Sequence, residues 1–405
     1  MKHKAIVASF VGLLIASCPL VGIAAEKKYD PGATDTEIKL GQTEPYSGPV
    51  TALSMFAKAQ IAYIAKINAG GGINGRKINL VSLDDAYSPP KTVEQTRRLV
   101  EQEGVLAVFG TMGTATNLSV RKYLNDHKVP QLFALTGSST AIDPARFPWT
   151  IPWLAEVRAE ARVWAEHVLK THPDAKIALL TQNDDFGKDA IRGIEEGLGA
   201  KAAQMIVARQ TYEVTDPTVD TQIIALKGSG ADTLFDGATP RYLSQSIRKA
   251  YDIGWKPAHY ILSGNSSIEV VLKPAGLDKS VGLITTNYLK DPSDPAWKDD
   301  PGVVEFLKWQ KAYMPDGNPN DSMVVAGYSQ GQTLEHALRL CGDELTRENL
   351  MKQATSIKDL QLPMLEPGVI FSTSPTDYRL VKAFRLLRFD GTRWTPLGND
   401  LIKTQ

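Results

Sequence analysis

A few short stretches of this 405-residue chain combine residue types that do chemistry. Gly327-Tyr328-Ser329-Gln330-Gly331 matches the G-x-S-x-G turn of serine hydrolases, whose nucleophile needs an acid and then a histidine further along the chain. Asp84 and Asp85 are adjacent carboxylates at the end of a strand-like run, a pair that suits a divalent ion or a shared proton. Gly70, Gly71 and Gly72, followed by Asn74-Gly75, have the glycine content of a phosphate cradle. "GTMGTATN" (110–117) and "LTGSST" (135–140) mix glycines with hydroxyls. Free backbone N–H groups and O–H groups of that kind suit a small carboxylate.

The elements that must position these residues decide among the chemistries. Apolar spacing of three and four predicts a helix over 52–67, and "KINLVSLDD" alternates as a strand. The order is therefore helix, glycines, strand, whereas a phosphate loop or a dinucleotide fingerprint needs glycines that open a helix. The triple glycine reads as a helix cap and Asn74-Gly75 as a turn. Adjacent strand residues face opposite ways, so Asp84 and Asp85 do not converge on one atom; one of them is expected to anchor the following loop. Val324, Val325, Tyr328, Leu334, Ala337, Leu338 and Cys341 share helical spacing, which predicts one helix running through the serine motif. His336, the last histidine, lies seven residues on and about 10 Å along that helix, out of reach of the serine proton. The two glycine-hydroxyl loops, by contrast, each follow an apolar strand ("VLAVFG" and "VPQLFAL") of one parallel sheet. Open parallel sheets place ligands at the C-terminal ends of their strands.

The first 150 residues read as β-α-β-α-β, and from "FPWTIPW" onward the alternation restarts through helices predicted near 155–171, 187–198 and the intervening strands. Two helices, 303–313 and 322–341, and a C-terminal strand pair turned by Asp390-Gly391 complete it. The fold class is α/β, with two Rossmann-like lobes built on parallel sheets. A chain of 405 residues fits about two domains, and 43% hydrophobic with 22% charged residues describes a globular protein. Lys+Arg and Asp+Glu stand at 45 each, so no basic excess points to nucleic acid. Residues 1–25, with Lys2, Lys4, an apolar run and Gly22-Ile23-Ala24, read as a cleaved secretory signal peptide, which leaves 43 basic against 45 acidic side chains. Ile15-Ala16-Ser17-Cys18 offers a lipoprotein alternative, disfavoured because 19–25 stays apolar. Cys341 is then the remaining cysteine, so neither an internal disulfide nor a cysteine metal site is expected.

"YIAKINAGGGINGRKINLVSLDDAYSP", with "SGP" at 47–49, "QNDDFGKD" at 182–189, "GWKP" at 254–257 and "PAG" at 274–276, resembles the periplasmic substrate-binding proteins of branched-chain amino-acid ABC transporters. The resemblance spans Glu37 to Arg393. It implies two lobes joined by a three-segment hinge, the first of residues 27–150 plus 285–360, the second of 151–284 plus 361–405. It also implies a monomeric, non-enzymatic receptor in the periplasm that needs no cofactor and no metal. Its partners would be a small carboxylate ligand, aromatic or otherwise hydrophobic or a branched-chain amino acid, and an ABC transporter membrane permease. The alternatives are a secreted hydrolase using Ser329 and a chemosensory binding protein of the same fold. By resemblance, Thr114, Ala115, Ser138 and Thr140 hold the ligand's carboxylate from the first lobe. Phe186, Ala238 and Asn265 face it from the second. Asn265 stands where the amino-acid binders carry an acid for the ammonium, and Ala238 where they carry a tyrosine. A buried ammonium without an anionic partner costs several kcal/mol, which favours a carboxylate lacking the α-amino group. Tyr46, Trp149, Trp153 and Tyr288 are the aromatics expected near the cleft or hinge.

Overall fold

Five parallel strands carry the first lobe, and their composition explains their burial. In the computed structural model, which describes residues 1, 27–398 and 400–404, they are β1 (Glu37–Glu44), β2 (Lys77–Asp84), β3 (Ala107–Phe109), β4 (Gln131–Ala134) and β5 (Thr150–Pro152), ordered β2-β1-β3-β4-β5. The expected signal peptide and the Cys18 box lie outside the described residues. β3 and β4 are covered on both faces, which their uninterrupted apolar runs require. Helices α1 (Ser54–Ala69), α2 (Pro89–Arg97) and α3 (Thr114–Asp126) connect them. α3 starts at Thr114 because Gly113 at φ +101° breaks the chain direction just ahead of it.

The second lobe follows the same logic. α4 (Val157–Thr171), β6 (Ile177–Gln182), α5 (Asp185–Leu198), β7 (Ile206–Tyr212), α6 (Asp220–Gly228), β8 (Thr233–Gly237), α7 (Pro240–Asp252) and β9 (Ala258–Ile261) alternate. β10 (Ile284–Asn287) joins β9 in parallel, so residues 285–287, expected in the first lobe, belong to the second sheet. β11 (Ala383–Phe389) and β12 (Trp394–Pro396) then close that sheet with antiparallel pairing, as the Asp390-Gly391 turn dictates. Among the described residues the chain passes between the sheets three times: after β5, after β10 and before β11.

The sequence signals that suggested chemistry resolve into joinery. Gly72 donates its N–H to Ile67 O at the end of α1, and a Cβ there would sit 2.0 Å from Arg76 O. Asn74 (φ +49°) and Gly75 (φ +83°) turn the chain into β2. Asn68, at the helix end, pairs with both the N–H and the C=O of Ile78, tying α1 to the strand. Asp84 accepts from Ser47 N and Ala86 N, each at 3.0 Å, while Asp85 accepts from Tyr87 N and Thr92 Oγ1, each at 2.8 Å. Both carboxylates anchor loops.

The G-x-S-x-G motif is a packing surface. α8 (Pro301–Tyr313) and α9 (Ser322–Cys341) return to the first lobe, and α9 lies against α1. A Cβ on Gly327 would stand 2.5 Å from Phe56 O, and one on Gly331 2.6 Å from the Tyr63 ring. The two glycines, four apart on one helix face, are what allow the close approach. Ser329, between them, is fully buried in mid-helix and donates to Val325 O at 2.9 Å. It is not a strand-to-helix elbow and presents no nucleophile. Trp153 fixes the same helix to the end of β5 through Nε1 to Thr333 Oγ1, 3.0 Å. Gly327→Val should destabilise the protein by about 1–3 kcal/mol through overpacking. Ser329→Ala should change stability by about 1 kcal/mol or less. Urea unfolding of both variants checks this, and a larger loss for the serine variant would contradict the packing assignment.

Candidate functional site

The C-terminal ends of β3, β4, β8 and β9 meet across one cleft. The hollow between the lobes contains about 660 Å³ of empty space, open solvent included. Its walls are mostly apolar: Leu53 just before α1, Phe56 on α1, Met112, Leu135, Leu154, Phe186 and Tyr288. An adjoining hollow of about 640 Å³ shares Phe56, Leu154, Ser263, Gly264 and Tyr288 and continues toward Lys290, Asp291 and Trp394.

One end of the cavity suits an anion. Thr114 opens α3, and the residue before it is glycine, which has no side chain to cap the first-turn N–H groups. Those groups and the helix dipole together favour negative charge. Gly113 is required there twice over: its φ is +101°, and a Cβ would meet the Tyr87 ring at 2.4 Å. Thr114 Oγ1 and Thr136 Oγ1 share a hydrogen bond of 2.8 Å at the same wall. Thr136 is aimed there by an irregularity in β4. Phe133 sits at φ +51°, the register shifts between Gln131 and Ala134, and the displaced Phe133 carbonyl accepts from the Gln330 side chain of α9. Gln330 continues inward as a chain to Gln60 and Gln42.

The other polar group in the cavity is an acid. Glu160, on α4, lines the pocket and is 2% exposed. Its oxygens accept from Ser263 N (2.6 Å), Ser263 Oγ (3.0 Å) and Thr286 Oγ1 (2.5 Å). Burial pushes its carboxyl up to about 7, with the Thr286 and Ser263 bonds pulling partly the other way. A second acid, Glu44 at the end of β1, is wholly buried and held well above the usual carboxylate range by burial and by the nearby Asp85 charge. Neither of its oxygens has a hydrogen-bond partner among the described residues.

Of the seven residues expected at the ligand, Thr114, Phe186 and Asn265 line this cavity and are brought together from three elements. Ala115, Ser138, Thr140 and Ala238 are not on its wall. Ala238 sits one layer behind, its carbonyl accepting from Asn265 Nδ2 at 3.0 Å, and Thr239 lines the cavity beside it. Ser138 Oγ shares a hydrogen bond with Thr140 Oγ1 (2.8 Å) and donates to Asp189 Oδ2 (2.6 Å). Of the four aromatics, Tyr288 lines the cavity; Tyr46 bonds Ser82, Trp149 is half-buried beside the core, and Trp153 packs between Tyr288 and Phe371. Glu160 was missed, and Thr136 was picked out only as part of the 135–140 loop. Glu160 stands three residues after Val157 and four before Trp164, on the apolar stripe of α4, and that spacing is the signal that marks it as buried.

A raised folded pKa means the native state binds more protons than the unfolded chain. For Glu160 the associated stability is full below about 4.5, the ordinary value of a glutamate, and is lost as pH rises through about 7. Glu160→Gln should therefore gain stability relative to the parent protein between pH 5 and pH 8, by on the order of 3 kcal/mol. Denaturant midpoints at the two pH values check this; a pH-independent difference would remove the titration from Glu160.

Comparison with known proteins agrees with this geometry. Residues 37–393 match the model of a family described as periplasmic binding protein. A relative named Leu/Ile/Val-binding protein homolog 7, from Brucella suis biovar 1 (strain 1330), is 24% identical over 339 residues, covering 80% of this chain and 82% of that one. A branched chain amino acid ABC transporter protein from Thermus thermophilus, solved with bound valine, superposes with a TM-score of 0.81 at 15% identity, over 91% of this chain and 97% of that chain. A fatty acid ABC transporter substrate-binding protein from Thermomonospora curvata gives 0.77 at 20% identity, over 94% and 95%. With two α/β lobes, three crossovers and a family match across nearly all of the described chain, this protein belongs to the periplasmic binding protein family and has the two-lobed α/β fold of its solved neighbours.

Proposed function

We propose that this chain is an exported, non-catalytic solute receptor that takes a small hydrophobic carboxylate into the interlobe cavity and hands it to an ABC permease. The observation that carries this reading is the pairing of polar ends across apolar walls. The uncapped start of α3 at Thr114 faces one part of the cavity, and the Glu160 carboxylate faces another. The apolar body between them has Phe56, Met112, Leu135, Phe186 and Tyr288 to pack against. Residues 1–25, read as a signal peptide, support delivery across a membrane. Among the described residues no helix is long and apolar enough to span a membrane, so a separate permease is the partner that this role needs.

Glu160 also alters the ligand preference drawn from Asn265. The amide of Asn265 is spent on the Ala238 carbonyl, but an acid does line the cavity, reached from a different helix. A hydrophobic amino acid, its carboxylate at α3 and its ammonium at Glu160, is the reading that uses both ends. The names of the Brucella suis and Thermus thermophilus relatives support it. An acid without the amino group is the second reading. It is favoured by the three hydrogen bonds that Glu160 already accepts, and by the Thermomonospora curvata relative named for fatty acids.

A thermal-shift screen separates the two, because a ligand at a hundred times Kd stabilises the folded state by about 2.7 kcal/mol. Leucine, valine and phenylalanine should raise Tm, and Glu160→Gln should weaken them about 10- to 100-fold, the value of one charged hydrogen bond. If benzoate or octanoate stabilises the protein and the amino acids do not, the second reading holds. Thr114→Val should weaken either class by a similar factor in calorimetry. Unchanged affinity would refute the anion site at α3.

A further inference from the structure

The Ser138–Ser139 loop has the donors of a carboxylate site, and it already holds a carboxylate. That group is the side chain of Asp189, on α5 of the opposite lobe. Oδ2 accepts from Ser138 Oγ at 2.6 Å and from Ser139 N at 2.7 Å, and Oδ1 accepts from Ser139 Oγ at 2.8 Å. Arg192, one turn on, lies at 3.5 Å from Oδ1. Asp189 and Ser138 are both 0% exposed, and Ser139 is half-buried at the edge of the contact. A buried carboxylate is stable only where its charge is met by such bonds, and each bond to an ionised acceptor is stronger than a neutral one. The partners sit 50 and 51 residues apart in sequence and on different lobes, so the contact ties one lobe to the other close to the crossover where Val157 N bonds Gly137 O.

We propose that Asp189 is an internal latch. It occupies the Ser138–Ser139 anion site, holds the two lobes closed in the absence of solute, and leaves the start of α3 as the place for a ligand's anionic end. Two consequences follow for the binding cycle. Ligand does not have to supply the whole driving force for closure, because part of it is built into the protein. The loop also cannot take a ligand carboxylate without first displacing Asp189, so Ser138 and Thr140 select against that pose. The latch concerns the cleft read above as a solute site, but its test uses the protein with no solute, and it stands or falls apart from the choice of ligand.

The mature protein carries spin labels on cysteines placed at the exposed Lys122 and Lys201, one on each lobe; the native Cys341 is buried. Pulsed dipolar distances of the solute-free protein should show a single short-distance population. Asp189→Ala should shift it at least tenfold toward a longer, open distance, and formate, which carries the removed carboxylate in a molecule small enough for the hole, should restore the short one. Formate should leave the parent protein unchanged. A solute-free parent protein that is already open, or an Asp189→Ala distribution identical to it, would overturn the latch. Failure of formate to close the variant would overturn the assignment of the loop as an anion site. Ser139→Ala removes one of the three bonds, Oγ to Asp189 Oδ1, and keeps the backbone N–H bond, so it should open the protein in the same sense to a smaller extent; it carries the test if Asp189→Ala does not fold.

Discussion

Burying one carboxylate where two crossovers meet sets the geometry on which this cleft depends. Glu160 stands near the start of α4, just after the chain leaves the first sheet. Its oxygens gather the Ser263 turn beyond β9 and Thr286 at the end of β10, just before the chain returns. Three segments far apart in sequence are held at one point because together they supply the donors that meet the lone pairs of this buried acid. The same constraint keeps Ser263 and Gly264 at the floor of the cavity and Tyr288 beside it. The hinge and the binding cavity therefore share a single polar anchor, and neither can change without the other.

Much of the architecture was legible in the chain. Periodicity placed the alternation of strands and helices, and the strand-end rule pointed to the loops after β3 and β4, where Thr114 and Thr136 face the cavity. What spacing did not show was which donors were already engaged. Ser138 has the residue type and position of a ligand contact, yet Asp189 takes its hydroxyl. A pairing across 51 residues and two lobes leaves no local trace. Glu160 was missed for the opposite reason: a glutamate in a helix with several charged neighbours reads as a solvated face. Its position on the Val157–Trp164 stripe, not its type, gives it away. The extra residues of β10 in the second sheet reflect pairing with β9 and β11, which is tertiary information.

The serine motif shows how one pattern serves unrelated ends. In a hydrolase elbow the glycines give room for a strained turn. Here Gly327 and Gly331 give room for another helix, and Gln330 between them reaches across to Phe133 O and shapes the strand end that carries Thr136. The motif thus acts on the binding cavity, but through packing and a main-chain hydrogen bond.

The close contact of α9 with α1 also sets an order of events in the life of the chain. The residues that cover Phe56 and Tyr63 are Gly327 and Gly331, so the first lobe to be synthesised is finished only near the end of the chain. At ordinary elongation rates the gap between them is on the order of tens of seconds. During that time α1 can pack on β2, but the face that α9 covers has no partner from the C-terminal part of the chain. Non-local closure of this kind slows folding. A lobe whose cover arrives last in the sequence cannot lock before the chain is nearly complete, and that order is written into the connectivity.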